Sequence, residues 1–174
     1  MNGEGNLVPR IEYENDEDDI ICGRFPHLDM CACEINTQIA LKEINLFQVY
    51  PGIYMGPYQS AFKTKDLIEK GVTHILNCSC KEYSKRNKYF KYLDVDVQDG
   101  AGENGAKYFR ITNRFIEEGI TNGAVLVHSV QGKSRAPTFI LAYLIYREKM
   151  KLRDGLALLR EYVNEVEPNE SFMQ

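Results

Sequence analysis

Apolar positions show no regular spacing over residues 1–20 and become ordered from Phe47 onward. The first twenty residues therefore predict a mobile, acidic tail. Residues 21–45 predict a mixed extension with helical character around Thr37 to Lys42. Phe47 to Tyr50 and Ile53 to Met55 read as two short strands joined through the turn dipeptide Pro51-Gly52. Thr64 is the expected N-cap of a short helix ending before Gly71, a residue type suited to the position just past a helix. Thr73 to Asn77 is an apolar strand, a basic stretch runs from Lys81 to Lys91, and Tyr92 to Val97 alternates as a further strand ending at Asp99-Gly100. Tyr108 to Ile120 has helical apolar spacing and stops at Asn122-Gly123. Ala124 to His128 is apolar until its last residue, as a buried central strand should be. A helix follows from Arg135, apolar nearly all round, and a last amphipathic helix over about Leu152 to Val163 places Leu156, Leu159 and Val163 on one face.

Strands alternating with helices predict an α/β fold, a mainly parallel central sheet flanked by helices. The ordered pattern spans residues 46–174 and is long enough for one domain with a substantial core. In open sheets of this class ligands gather beyond the carboxyl ends of the strands. The loop from Ser129 to Arg135 lies at such an end.

Composition narrows the function classes. The chain has 174 residues, 44% hydrophobic, with a formal net charge of -4. A phosphate-backbone binder would show a basic excess, so no nucleic acid partner is expected. Glu12, Glu14, Asp16, Glu17, Asp18 and Asp19 concentrate the acidity in one short run, the pattern of a solvated tail. No window has the uninterrupted apolar length of a spanning helix, and neither a signal-peptide layout nor a lipid-attachment signal is visible, so no membrane association is expected. The five cysteines, Cys22, Cys31, Cys33, Cys78 and Cys80, suit reduced thiols in a cytoplasmic protein, with the nucleus also open to it. Cys22, His27, Cys31 and Cys33 match no usual zinc spacing, so no metal and no cofactor is expected. Oligomeric state is not legible.

The segment Ala-Val-Leu-Val-His-Ser-Val-Gln-Gly-Lys-Ser-Arg at 124–135 is a strand, a short polar loop and a helix start. Loop amides and the positive end of the following helix make an anion site, and Arg135 adds a bidentate fork. Gly132-Lys133-Ser134 lacks the earlier glycine of a nucleotide-cradling loop, because Val127 stands there. A serine-hydrolase elbow at Ser129 would need glycines where Val127 and Gln131 are found. Phosphate held by main-chain amides and Arg135 needs a residue that lets the loop curl, a small hydroxyl and an arginine at the helix start. Gly132, Ser134 and Arg135 supply them.

The loop resembles the His-Cys-x5-Arg signature of the cysteine-dependent protein tyrosine phosphatases, matched at His128, Gly132, Ser134 and Arg135, with Ser129 where the family has its nucleophilic cysteine. Val49 to Gly56 with Ser60-Ala61, Gly71 to Asn77, Tyr92 to Asp99 with Tyr108-Phe109, and Glu167-Pro168-Asn169 with Phe172 are similar to successive elements of the dual-specificity phosphatases. The resemblance covers roughly residues 45–174. It implies a protein tyrosine phosphatase-like fold and a reaction on a phosphorylated protein substrate carrying phosphotyrosine, phosphoserine or phosphothreonine. A thiolate at position 129 would attack phosphorus, Asp99 would act as general acid and then base, and Ser134 would help the thiolate depart. Arg135 and the amides of Ser129, Val130, Gln131, Gly132, Lys133 and Ser134 would hold the phosphate oxygens, and His128 would orient the loop. Asp94 and Asp96 are nearby rivals to Asp99.

Ser129 changes this expectation. Family thiols ionise because the loop lowers their pKa to about 3.5 to 7.5. An alcohol starting near water's value of about 15.7, lowered by about four units, is ionised in only about one molecule in 10⁴ to 10⁵ at pH 7. Ser129 should bind phosphate without appreciable turnover. The intact partners of the loop favour a phosphatase whose cysteine has been exchanged for serine. The alternative is a natural pseudophosphatase acting as a phosphoprotein-binding module, while a rhodanese-like domain leaves Asp99 with Tyr108-Phe109 unexplained. Cys78 and Cys80 are expected as small buried residues near position 129, within reach of a protective disulfide if that position carried cysteine.

Overall fold

The computed structural model describes residues 45–83 and 86–173. The acidic run, the Cys22–Cys33 group and Lys85 lie outside the described residues. Among the described residues five strands form one sheet: β1 (Phe47–Tyr50), β2 (Ile53–Pro57), β3 (Val72–Asn77), β4 (Lys91–Asp94) and β5 (Ala124–Ser129). Their order is β1-β2-β5-β3-β4, with β1 antiparallel to β2 and every other neighbouring pair parallel. This is the mainly parallel sheet that the strand–helix alternation predicts. β5 sits at the centre, and all six of its residues are buried.

The helices are α1 (Thr64–Glu69), α2 (Ala106–Thr121), α3 (Arg135–Glu148) and α4 (Leu152–Tyr162), with 3-10 turns at Tyr58–Phe62 and Glu170–Phe172. Alternation along β5 divides its side chains between two cores. Val125 and Val127 join Phe115 and Ile116 of α2, Phe139, Ile140 and Leu144 of α3, and Leu159 of α4. Ala124 and Leu126 face the smaller core with Leu67 of α1, Ile75 and Phe90. Helix α2 approaches the sheet closely at Gly119, where an added Cβ would lie 2.8 Å from Val125 Cβ and 3.1 Å from His74 Cβ. Any larger residue there would push helix and sheet apart.

Three expectations need correction. Thr64 is the first helical residue, and the capping position belongs to Lys63, which makes no side-chain capping bond. The strand expected to reach Val97 ends its ladder at Asp94, because its partner β3 ends at Asn77. The chain then stays extended enough for the Val95 amide to reach the Asn77 carbonyl at 2.8 Å, and Val95 and Val97 are both buried. Cys80 is exposed, unlike buried Cys78. Among the described residues no helix is long and apolar enough to cross a membrane.

Candidate functional site

The carboxyl ends of β2, β3 and β5 converge on the segment 129–135. Ser129 closes β5 and is 2% exposed, so the polar loop begins from the floor of the domain. The loop curls at once: the Gly132 amide donates to Ser129 Oγ at 3.2 Å, and Gly132 adopts φ +74°. A Cβ at Gly132 would lie 2.8 Å from the Gly56 carbonyl group at the end of β2. Glycine is therefore required twice, by backbone conformation and by backbone proximity. The Tyr58 amide donates to the Val130 carbonyl at 3.3 Å and the Glu167 amide to the Lys133 carbonyl at 2.9 Å, fastening both sides of the loop.

With its carbonyls so engaged, the loop leaves donors over. The amides of Val130, Gln131, Lys133, Ser134 and Arg135 have no acceptor among the described residues. Helix α3 starts at Arg135 and directs its positive end at the same place. Amides in that state at a helix N-terminus are an anion site.

Arg135 is 7% exposed, held between the loop and the segment after β4. Its Nη1 donates to the Val97 carbonyl at 3.3 Å and to Cys80 Sγ at 3.6 Å. Its Nε lies 3.4 Å from Asp99 Oδ2, an ion-pair contact without hydrogen-bond geometry. Ser134 Oγ donates to Asp99 Oδ1 at 2.7 Å and accepts from the Asn169 amide at 3.2 Å. Asp99 thus meets both the arginine and the hydroxyl of the loop. The Asp94 carboxylate is engaged elsewhere, accepting from Asn77 Nδ2 and pairing with Arg86, and the Asp96 backbone carbonyl accepts from Tyr108 Oη. Asp99, Ser134 and the stretch Glu167 to Ser171 border an open cleft of about 460 Å³. Lys133 points outward, its Nζ 2.9 Å from Glu165 Oε2, so it contributes its amide rather than its charge to the loop.

His128 is fully buried beneath the loop, and burial pushes its pKa down to about 3. The imidazole is neutral at physiological pH and lends the site no positive charge. Its Nε2 hydrogen-bonds the Tyr83 hydroxyl, while Nδ1 has no partner among the described residues. Tyr83 stacks on Tyr58 with centroids 5.7 Å apart, and Lys81 Nζ lies 5.2 Å over the Tyr58 ring. An aromatic wall with a basic rim therefore flanks the loop at Val130 and His128. The rim includes Arg86, which lies 5.8 Å over the Tyr83 ring and 5.1 Å over Tyr92.

Sequence reasoning singled out every member of the 128–135 segment and Asp99, and the structure brings them together. It missed Tyr83 and the Val97 carbonyl, and it placed Cys80 near position 129 as a buried residue, whereas Cys80 is exposed and meets Arg135. Tyr83 sits in a basic stretch with no periodic signal, and a carbonyl partner leaves no mark on residue type. Cys78 joins the main core, and burial pushes its thiol pKa upward, so it is a poor attacking thiol. Cys80, whose Sγ donates to the Val97 carbonyl at 2.9 Å, is the thiol that touches the site.

A family model described as the dual specificity phosphatase catalytic domain matches residues 53–174. A mouse protein named serine/threonine/tyrosine-interacting protein is 34% identical over 158 residues, 86% of this chain and 70% of that one. The crystal structure of the human tyrosine phosphatase-like serine/threonine/tyrosine-interacting protein aligns with a TM-score of 0.68 at 34% identity, covering 73% of this chain and 89% of that one. Human DUSP28 aligns with a TM-score of 0.70 at 26% identity, covering 74% of this chain and 87% of that one. The fold, the matched span and the curled loop before α3 agree: the chain belongs to the dual specificity phosphatase family.

Proposed function

We propose that this chain is a non-hydrolysing phosphoprotein-binding domain, which holds a phosphorylated side chain of a partner in the loop 129–135 and leaves the ester intact. The observation that carries this reading is the pairing of unsatisfied loop amides and a buried Arg135 with a hydroxyl, Ser129, at the position of the family's cysteine. Binding needs donors and positive charge, and both are present. Turnover needs an ionised nucleophile, which serine supplies in only about one molecule in 10⁴ to 10⁵. Neutral His128 offers no charge to improve that fraction. Similarity to proteins named as interacting rather than hydrolysing supports the same direction.

A second reading, a protein phosphatase whose cysteine has been exchanged for serine, is favoured by one contact. Asp99, bonded to Ser134 and beside Arg135, is held where a general acid would serve a departing oxygen. Calorimetry with a phosphotyrosine peptide, paired with p-nitrophenyl phosphate assays of the wild type and Ser129→Cys, separates the two. The binding domain predicts micromolar peptide affinity and no hydrolysis beyond background by the chain that carries Ser129. Turnover by Ser129→Cys would favour the exchanged enzyme, and loss of peptide binding would overturn both readings. Phosphoserine and phosphothreonine peptides in the same titration rank the partner residues. A cytoplasmic location, expected from the thiols, is tested by imaging a tagged chain.

A further inference from the structure

Two hollows adjoin the loop 129–135, and they differ in character. The open cleft at Ser134 is bordered by the carboxylates of Asp99, Glu167 and Glu170. A second pocket, of about 280 Å³, opens at Gln131 and Gly132, and none of the residues lining it carries a charge. Phe47 of β1, Met55 and Pro57 of β2 and Val163 after α4 give it apolar walls. Met55 is fully buried, while Phe47 and Val163 are partly buried and pack against the main core. The pocket is an open end of that core at the edge of an anion site.

We propose that this pocket takes one aliphatic side chain of the partner, from a residue close in sequence to the phosphorylated one, and so sets which phosphopeptides the loop holds. The inference rests on the phosphate-binding reading above and names the class of ligand: a phosphopeptide that carries leucine, or a residue of similar size, near its phosphorylated side chain.

Continuity, size and charge each favour that occupant. Gln131 and Gly132 belong to the loop and to the pocket wall alike, so a phosphate held by the loop amides lies beside the pocket. An extended peptide advances about 3.3 Å per residue, which keeps neighbours within about three positions in reach. The volume falls below the roughly 300 to 1,000 Å³ of sites that enclose a whole small molecule, and suits a single side chain. A charged side chain would shed its water against Phe47, Met55 and Val163 and find no opposite charge there. An aliphatic one gains by the same burial. The cleft at Ser134, with three carboxylates, offers no such lining, so the two flanks of a bound peptide are told apart. The pocket is also preformed: the Gly132 backbone packs on the Gly56 carbonyl group, 2.8 Å from where a Cβ would stand, and the Val163 amide donates to the Leu159 carbonyl at 3.1 Å. Little ordering is then needed on binding.

Burial sets the size of the effect. Enclosing a leucine side chain fully is worth roughly ten- to hundredfold in affinity, and a pocket open on one side realises the lower end. Leucine in place of serine at the matching position should therefore tighten binding about tenfold.

The test uses the full chain and fluorescent phosphotyrosine peptides with serine at every flanking position, into which one leucine is placed in turn at each of the nearest positions on either side. The expected result is binding of the all-serine peptide and about tenfold tighter binding with leucine at a position on one flank only. Glutamate at that position should remove the gain. With the methionine methyls labelled, the Met55 NMR signal should move further with the leucine peptide than with the all-serine one. Val163→Asn should cut the leucine gain at least in half and leave the all-serine affinity unchanged. Equal affinity for leucine and serine throughout, equal gains at every position, or a Met55 methyl indifferent to the leucine overturns the inference and leaves the binding reading intact. An undiminished leucine gain in Val163→Asn overturns it too, and the methyl signal decides alone if that variant does not fold. Absence of binding by every phosphotyrosine peptide removes the phosphate-binding reading itself, and the inference with it.

Discussion

Replacing Asp99 with asparagine should tighten phosphopeptide binding, an outcome opposite to the usual effect of altering a residue at the site. Asparagine keeps the acceptor that Ser134 Oγ uses at 2.7 Å and removes the negative charge 3.4 Å from Arg135 Nε. That charge competes with phosphate for the same guanidinium. A carboxylate and a phosphate dianion about 6 Å apart repel by roughly 1.4 kcal/mol in a water-like medium and about four times that at an effective dielectric near 20. The cleft beside Asp99 is open to solvent and Arg135 offsets part of the repulsion, so the lower figure applies. It corresponds to about a tenfold gain in affinity. Calorimetry with a phosphotyrosine peptide at about 0.15 M salt reads the change, and raising the salt should shrink it. Unchanged or weaker binding by Asp99→Asn would refute the placement of the phosphate between the loop amides and Arg135.

Three further outcomes follow from the same geometry. Gly132→Ala should lower stability by about 3 kcal/mol, a fall in Tm on the order of 10 °C, since it meets both a φ of +74° and the Gly56 backbone 2.8 Å away; Gly71→Ala, at φ +71° with nothing within 4 Å, should cost only about 1 kcal/mol, and equal losses in calorimetric scans would contradict the close approach. Arg135→Lys replaces a planar fork with a point charge and should weaken phosphopeptide binding by about 10- to 100-fold by titration, whereas retained affinity would place the anion elsewhere. His128, held near 3 by burial against an ordinary 6.5, stays neutral in the folded domain while the unfolded chain takes up a proton below about pH 6.5, so its contribution is complete above that value and declines as pH falls toward 3. Urea midpoints should show roughly 2 kcal/mol lost from this group between pH 7 and pH 5, and His128→Gln should remove that part of the slope, leaving the same-signed effect of His74, also lowered by burial.

The inner strands β2, β3 and β5 were legible because they are buried on both faces and read as apolar runs; Val72 to Asn77 and Ala124 to Ser129 differ from expectation by one residue at an end. Helix α2 extends two residues before Tyr108 and one beyond Ile120, within the usual fraying of such boundaries. The 3-10 turn at Tyr58–Phe62 has no sequence period long enough to detect, yet it carries Tyr58 to the loop. Lys63 takes the capping position of α1 ahead of Thr64 because the turn preceding it hands the chain over there, the Lys63 amide bonding to the Ser60 carbonyl. The candidate site was legible as far as its residues are contiguous, from His128 to Arg135, and Asp99 was reachable from its distance to Tyr108-Phe109. Contacts made by folding alone were not: Arg135 to the Val97 carbonyl spans 38 residues, and Tyr83 to His128 spans 45. Such partners are chosen by topology, through the parallel neighbours β3 and β5, rather than by any local pattern.

The most direct measurement is a crystal structure of the full chain bound to a phosphotyrosine peptide. The account predicts an uncleaved phosphate ester seated over Ser129, its oxygens within about 3 Å of the 130–135 amides and of the Arg135 guanidinium. A peptide bound away from that loop, or a phosphoryl group found detached from its tyrosine, would contradict it.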